Sequence, residues 1–184
     1  MKFLYRKSYE DRYRAIAEEI QENTSVLDVC CGDCALYTLF LKDRVSYTGV
    51  DITESFIESA KKQAIDIIPL DVREEKLPQA DYVIMQASLY QFMPEHQQII
   101  DNLLESALKK VIISEPIVNL STSDNKLISF IASRSANPGT GHKADRFVEE
   151  TFRDFFTNTY SSHIEKFKFI PGKRELMVIL NAEK

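Results

Sequence analysis

Apolar and polar positions recur along the chain in two alternating rhythms. Tyr9, Tyr13, Ile16 and Ile20 lie at helical spacing with Asp, Glu and Arg between them, which predicts an amphipathic helix ending near Asn23. Residues 25–30 (SVLDVC) form a short apolar run with β-branched members, a strand stopped by Cys31-Gly32-Asp33. Helical spacing returns over 34–41 through Leu36, Leu39 and Phe40, and 45–51 predicts a second strand. Thr53 is placed to cap a helix running to Ala64, with Phe56, Ile57 and Ala60 on one face and Glu54 in its first turn. Residues 65–72 and 80–87 predict the third and fourth strands. Pro94 suits a helix start, and Ile99, Ile100, Leu103, Leu104, Ala107 and Leu108 form the stripe that follows. A fifth strand is predicted over 109–115. Phe147, Val148, Phe152, Phe155 and Phe156 predict another helix, and 163–170 and 175–180 two final strands joined at Pro171-Gly172-Lys173.

Alternating strands and helices argue for an α/β fold, a parallel sheet with helices on both faces. The closing hairpin makes the last strand antiparallel to its neighbour. Residues 117–145 break the rhythm: Ser, Thr, Asn, Pro and Gly are interrupted only by Leu127-Ile128-Ser129-Phe130-Ile131. Loops this long in compact domains are usually functional or mobile. We expect one domain over 1–184, with an N-terminal helix in 1–24, a core in 25–116 and a variable substrate loop in 117–145.

A chain of 184 residues can bury about 70% of its unfolded surface, so it needs no disulfide or metal staple. The net charge of −5 counts against a binder of phosphate backbones, and the basic residues are scattered, with Lys61-Lys62 and Lys109-Lys110 the only adjacent lysines. No apolar stretch resembles a signal sequence or approaches the ~20 residues of a bilayer span. A soluble, cytoplasmic protein with neither nucleic acid nor membrane as partner is the expectation; oligomeric state is not readable. The three cysteines, Cys30, Cys31 and Cys34, fall within five positions and cannot staple distant segments. Their CxxC spacing admits zinc or a redox pair. A structural zinc wants four ligands, however, and the nearest histidine in sequence is His96. The expectation is three reduced, metal-free small residues in a tight turn.

That turn is where ligand chemistry concentrates. A strand running through a tight turn into a helix is nucleotide-site geometry: the backbone is open to close approach, and the helix start offers free N–H groups. Asp51 ends the second strand, where an acid can accept both ribose hydroxyls. Asp71 ends the predicted third strand, within reach of an adenine amino group. The pyrophosphate pattern G-x-G-x-x-G is missing, and Asp33 in the turn would repel phosphate. S-adenosylmethionine carries no phosphate; its sulfonium and ammonium suit Asp28 and Asp33, and the turn N–H groups suit its carboxylate.

The segments LDVCCGDC, YTGVDIT, PLDV, DYVIMQASLYQF and KKVIISEP resemble the class I S-adenosylmethionine-dependent methyltransferases over roughly residues 25–116. The resemblance implies a three-layer Rossmann-like fold, a seven-stranded sheet of order 3-2-1-4-5-7-6 with strand 7 antiparallel. It implies a cofactor set of Asp28, Cys30, Gly32, Asp51, Ile52, Asp71, Val72, Gln86 and Ala87. Asp28, Gly32 and the turn backbone would contact the methionine part, and Asp51 the ribose. Asp71 and Val72 would lie at the adenine, and Gln86 and Ala87 beside the methyl end. The family usually has glycine where this chain has Cys30 and Cys34; a positive φ at Cys30 would be strained. Gln86-Ala87-Ser88-Leu89 does not resemble the Asn-Pro-Pro-Tyr motif of enzymes methylating amino groups of adenine or glutamine.

The expected function is methyl transfer to a small-molecule acceptor by in-line displacement, with the protein supplying proximity and water exclusion. A general base is optional; His142, on the irregular loop, and Tyr90 are the candidates. Two other classes remain in view. One is a non-catalytic S-adenosylmethionine-binding module of the same fold. The other is a nicotinamide oxidoreductase, which the missing pyrophosphate turn disfavours.

Overall fold

The computed structural model describes residues 2–117 and 146–183, with side chains from Glu10 onward. Seven strands form one sheet: β1 (Ser25–Val29), β2 (Ser46–Asp51), β3 (Ile67–Pro69), β4 (Ala80–Gln86), β5 (Ala107–Pro116), β6 (Ile164–Phe169) and β7 (Glu175–Asn181). Their order is β3-β2-β1-β4-β5-β7-β6. β1 to β5 pair in parallel, and β7 runs antiparallel to both β5 and β6. This is the α/β methyltransferase topology expected from the sequence.

The period-2 alternation of the strands divides the core in two. Val26, Ile84, Ile112, Met177 and Ile179 face one side, where Ile16 and Ala17 of α1 (Lys2–Ala17) and Ala60 of α2 (Glu54–Lys62) pack on them. Val29, Val83, Met85, Val111, Ile113 and Val178 face the other. They are covered by Ile99, Ile100 and Leu103 of α3 (His96–Ser106) and Phe152 and Phe156 of α4 (Glu149–Tyr160). Strands buried on both faces read as near-continuous apolar runs, which is why β4 and β5 stand out in the sequence.

Several boundaries differ from the sequence reading. α1 stops at Ala17, and Asn23 sits in a left-handed turn (φ 58°). β3 spans only Ile67–Pro69: its ladder with β2 ends where β2 ends, at Asp51↔Pro69. Ile65, Leu70 and Val72 are buried beyond it without strand pairing. The helix after the turn narrows to a π-helical turn, Tyr37–Leu41, closed by Lys42 N–H donating to the Tyr37 carbonyl at 2.9 Å. Pro94 precedes rather than opens α3, whose first residue is His96. Ala107 and Leu108 belong to β5, not to the helical stripe; Leu108 is exposed. His96 is half-buried, its ring 4.4 Å from that of Phe155, and burial lowers its pKa. Among the described residues no helix is long and apolar enough to cross a membrane.

Candidate functional site

Strand order reverses between β1 and β4, so the connections leaving their carboxyl ends diverge to opposite faces, the position at which open α/β sheets bind ligands. The turn after β1 lies there. Cys30, Gly32 and Cys34 all take left-handed backbone conformations (φ 59°, 55° and 54°). The strain foreseen for Cys30 is therefore present, and Cys34 shares it; each non-glycine residue there costs roughly 1–2 kcal/mol. The turn is tied to the neighbouring strand at two points. Cys31 N–H donates to the Val50 carbonyl at 3.1 Å. Gly32 N–H donates to Asp51 Oδ2 at 2.9 Å, and Asp51 Oδ1 accepts from Thr53 N–H at 2.8 Å. Asp51 thus anchors the residue that precedes α2; Thr53 holds the N-cap position without a side-chain bond. Ile52, beside it, is half-exposed.

Asp28 lies inside β1, opposite Gly49 of β2 and Ile84 of β4, and only 4% of its surface is accessible. Tyr47 Oη donates to its Oδ2 at 2.9 Å. Burial outweighs that bond and, with Asp51 and Asp33 nearby, pushes the Asp28 carboxyl up to about 7. Tyr47 was not singled out from the sequence. Its signal was there: in a parallel pair Tyr47 registers with Val26, which puts it on the same face as Asp28. Asp33 takes a local task, its Oδ1 accepting from Ala35 N–H at 3.2 Å.

Asp71 does not end β3; it lies two residues past Pro69. Its carboxylate accepts from Arg73 Nε at 3.0 Å and Nη2 at 2.6 Å, which holds its pKa below the usual range. Val72 beside it is buried, and its carbonyl accepts from Asn102 Nδ2 of α3 at 3.2 Å.

At the end of β4, Gln86 registers with Ser114 of β5, and both side chains point to the face that carries Asp28 and Asp51. Gln86 Nε2 and Ser114 Oγ are buried without a hydrogen-bond partner among the described residues. Ala87 follows in a left-handed conformation (φ 51°), its N–H donating to the Ser114 carbonyl at 2.7 Å. Strained backbone of this kind gathers at functional sites. Tyr90 sits in the short 3-10 turn Leu89–Phe92 and is buried, with the Arg146 guanidinium 4.8 Å above its ring. His142 and residues 118–145 lie outside the described residues.

Two groups that the sequence reading missed brace this edge. Glu115, fully buried on the opposite face, accepts from the backbone N–H groups of Ser88 and Leu89, each at 2.8 Å. Burial raises its pKa to about 8. An acid inside the apolar run VIISEP was the available signal. Arg12 of α1 pairs with Glu175 of β7, donating from both Nε and Nη2 to Oε1. That contact spans most of the chain and has no local sequence signal. Among the described residues no group of His, Cys, Asp or Glu has the arrangement of a metal site.

The pattern of the MetW family, described as methionine biosynthesis protein MetW, matches residues 10–138. No curated protein sequence matches the chain. Among solved structures, it is similar to magnesium protoporphyrin IX methyltransferase from Synechocystis with S-adenosylhomocysteine bound. Identity is 16% and the TM-score 0.69, over 96% of this chain and 84% of that one. A SAM-dependent methyltransferase from Aquifex aeolicus aligns at 12% identity and a TM-score of 0.64, over 92% of this chain and 89% of that one. A small-RNA methyltransferase aligns at 16% identity and a TM-score of 0.69, over 96% of this chain but 25% of its own.

Proposed function

The chain belongs to the MetW family, and on that premise we propose that it binds S-adenosylmethionine and transfers its methyl group to a small-molecule acceptor. One observation carries the reading. The left-handed turn after β1 is fastened through Gly32 N–H to Asp51, at the carboxyl end of the sheet where the strand order reverses. An acid held in this way supports the assignment of Asp51 to the ribose and of the turn backbone to the methionine part. Two structural neighbours, the Synechocystis enzyme with each of two ligands, bind S-adenosylhomocysteine and S-adenosylmethionine on this fold.

The residues fit that cofactor. The turn offers backbone and carboxylates rather than a phosphate cradle, which matches a cationic, phosphate-free ligand. Asp28 supplies the charge partner for the ammonium, Asp51 with Ile52 holds the ribose, and Asp71 with Val72 frames the adenine. Gln86 Nε2, a buried donor with no partner among the described residues, is assigned with Ala87 to the methyl end. When bound, the sulfonium supplies an already activated methyl group. The chain orients it, excludes water and presents the acceptor in line. Tyr90 is the described candidate for accepting a proton, and the reaction does not require one.

Net charge −5 favours a small acceptor over a nucleic acid, although one neighbour of the same fold acts on small RNA. Calorimetry with S-adenosylmethionine, followed by a methyl-release assay over acceptor panels, tests the reading. Asp51→Ala should weaken binding by about 1.5–3 kcal/mol, tenfold or more, as loss of a charged hydrogen-bond acceptor does. Unchanged affinity would refute the ribose assignment. Retention on transfer RNA at ~50 mM salt that falls steeply as salt rises would refute the small-molecule acceptor.

A further inference from the structure

The cofactor turn carries two thiols in contact. Cys31 and Cys34 are the ends of a four-residue turn, closed by Cys34 N–H donating to the Cys31 carbonyl at 3.0 Å, and their sulfurs are 3.7 Å apart. Cys31 is half-buried and Cys34 buried; both are free thiols, as is Cys30. We propose that Cys31 and Cys34 form a reversible disulfide that locks the turn and switches off S-adenosylmethionine binding. This inference rests on the assignment of the turn as the cofactor site.

The geometry is close to what the bond needs. A hydrogen-bonded four-residue turn keeps its end Cα atoms under ~7 Å, inside the range that disulfides span. The sulfurs must approach from 3.7 Å to about 2.05 Å, a shift within the reach of χ1 rotation and a small turn adjustment. The seat of Cys31 explains why they are poised and not pushed apart. Its Sγ lies over Gly49 of β2, where a Cβ would stand 2.7 Å away. The absent side chain leaves the thiol room beside the strand. The two thiols also differ in acidity. The Cys31 contact draws the Cys34 thiol below its usual range, while the same contact and burial push Cys31 up. Asp28, Asp33 and Asp51 are the acids that face the pair. Either sulfur must lose its proton as it attacks, and the contact already in place lets the other receive it.

With hydrogen peroxide as the oxidant, the balance is simple. The two S–H bonds and the O–O bond break, the S–S bond forms, and both protons leave on the peroxide oxygens as two waters. Whichever sulfur first accepts oxygen as a sulfenic acid, the other lies in position to displace hydroxide from it. A dithiol reductant reverses the step by exchange. The residues enclosed by the new ring are Gly32 and Asp33. Gly32 N–H is bonded to Asp51, so bridging the turn strains the same contact that sets the ribose acceptor. Cys30 lies outside the ring, in its left-handed position, and burial with nearby carboxylates pushes its thiol up, toward the unreactive form.

Because the coupling is a binding free energy, it works in both directions: if the bridge weakens the cofactor tenfold, the cofactor disfavours the bridge tenfold. The experiment uses the full chain, treated with stoichiometric hydrogen peroxide, with and without saturating S-adenosylmethionine. Alkylation and tandem mass spectrometry then read each cysteine, and calorimetry reads affinity before and after dithiothreitol. The expected result is a mass loss of two hydrogens with only Cys30 alkylated. Affinity should fall at least tenfold and recover on reduction, and bound cofactor should slow the oxidation several-fold. Cys30→Ser should leave the bridge intact, and Cys34→Ser should abolish it. A reduced protein that binds cofactor but keeps all three cysteines alkylatable after peroxide overturns the disulfide. A bridged protein with unchanged affinity overturns the switch. A reduced protein that binds no S-adenosylmethionine overturns the functional reading and the switch with it, while the alkylation pattern separately decides the bridge.

Discussion

Replacing Asp28 with asparagine should stabilise the protein by an amount that grows as pH rises from about 5 to 7. The folded protein holds the Asp28 carboxyl at about 7 because burial disfavours its charge; the ordinary value is 3.8. Below about pH 4 the group is protonated in both folded and unfolded states and contributes no penalty. Between about pH 4 and 7 the unfolded chain ionises while the folded one keeps its proton, so stability falls by about 1.4 kcal/mol per pH unit. Above 7 the loss levels off near about 4 kcal/mol, the full separation of the two values. Asparagine cannot ionise, so that slope disappears. Its amide oxygen can still accept from Tyr47, which limits the offsetting cost to about 1 kcal/mol, a weakened hydrogen bond. The difference in unfolding free energy between Asp28→Asn and wild type should therefore grow by about 2–3 kcal/mol from pH 5 to pH 8. Denaturant unfolding of the ligand-free protein at both pH values measures it. Glu115, which titrates over an overlapping range, is present in both proteins and cancels. A difference that stays constant with pH would refute a buried, protonated Asp28.

The same group predicts the pH dependence of ligand binding. A cationic ligand favours ionised Asp28, so affinity for S-adenosylmethionine should rise up to tenfold per pH unit below 7 and flatten above it, and Asp28→Asn should remove that rise; calorimetry over pH 5.5–8.5 decides. Glu115→Ala leaves the N–H groups of Ser88 and Leu89 buried without an acceptor and should cost about 2–4 kcal/mol. Glu115→Gln retains an acceptor oxygen and should cost far less, a contrast thermal unfolding can read. Gly49→Ala places a Cβ 2.7 Å from Cys31 Sγ and should destabilise by about 1–3 kcal/mol, read from the denaturation midpoint.

Much of this molecule was fixed by local pattern. The β-branched runs of β1, β4 and β5, the helical stripes between them and the closing hairpin carry their own periodicity. A parallel sheet follows from their alternation because each crossover helix must bury its stripe on the sheet. Asp51 was legible for the same reason: it closes a strand that the pattern delimits. Tertiary structure decided what depends on residues distant in sequence. β3 ends at Pro69 because β2 offers no further partner, and so Asp71 leaves the strand and pairs with Arg73. The raised pKa values of Asp28 and Glu115 come from burial by both faces of the sheet, which no local window contains. The seat of the Cys31 sulfur exists because β2 brings Gly49 against the turn after β1. Sequence specifies which residue types stand at each position; desolvation and register, both long-range, determine the charge each one carries and what it touches.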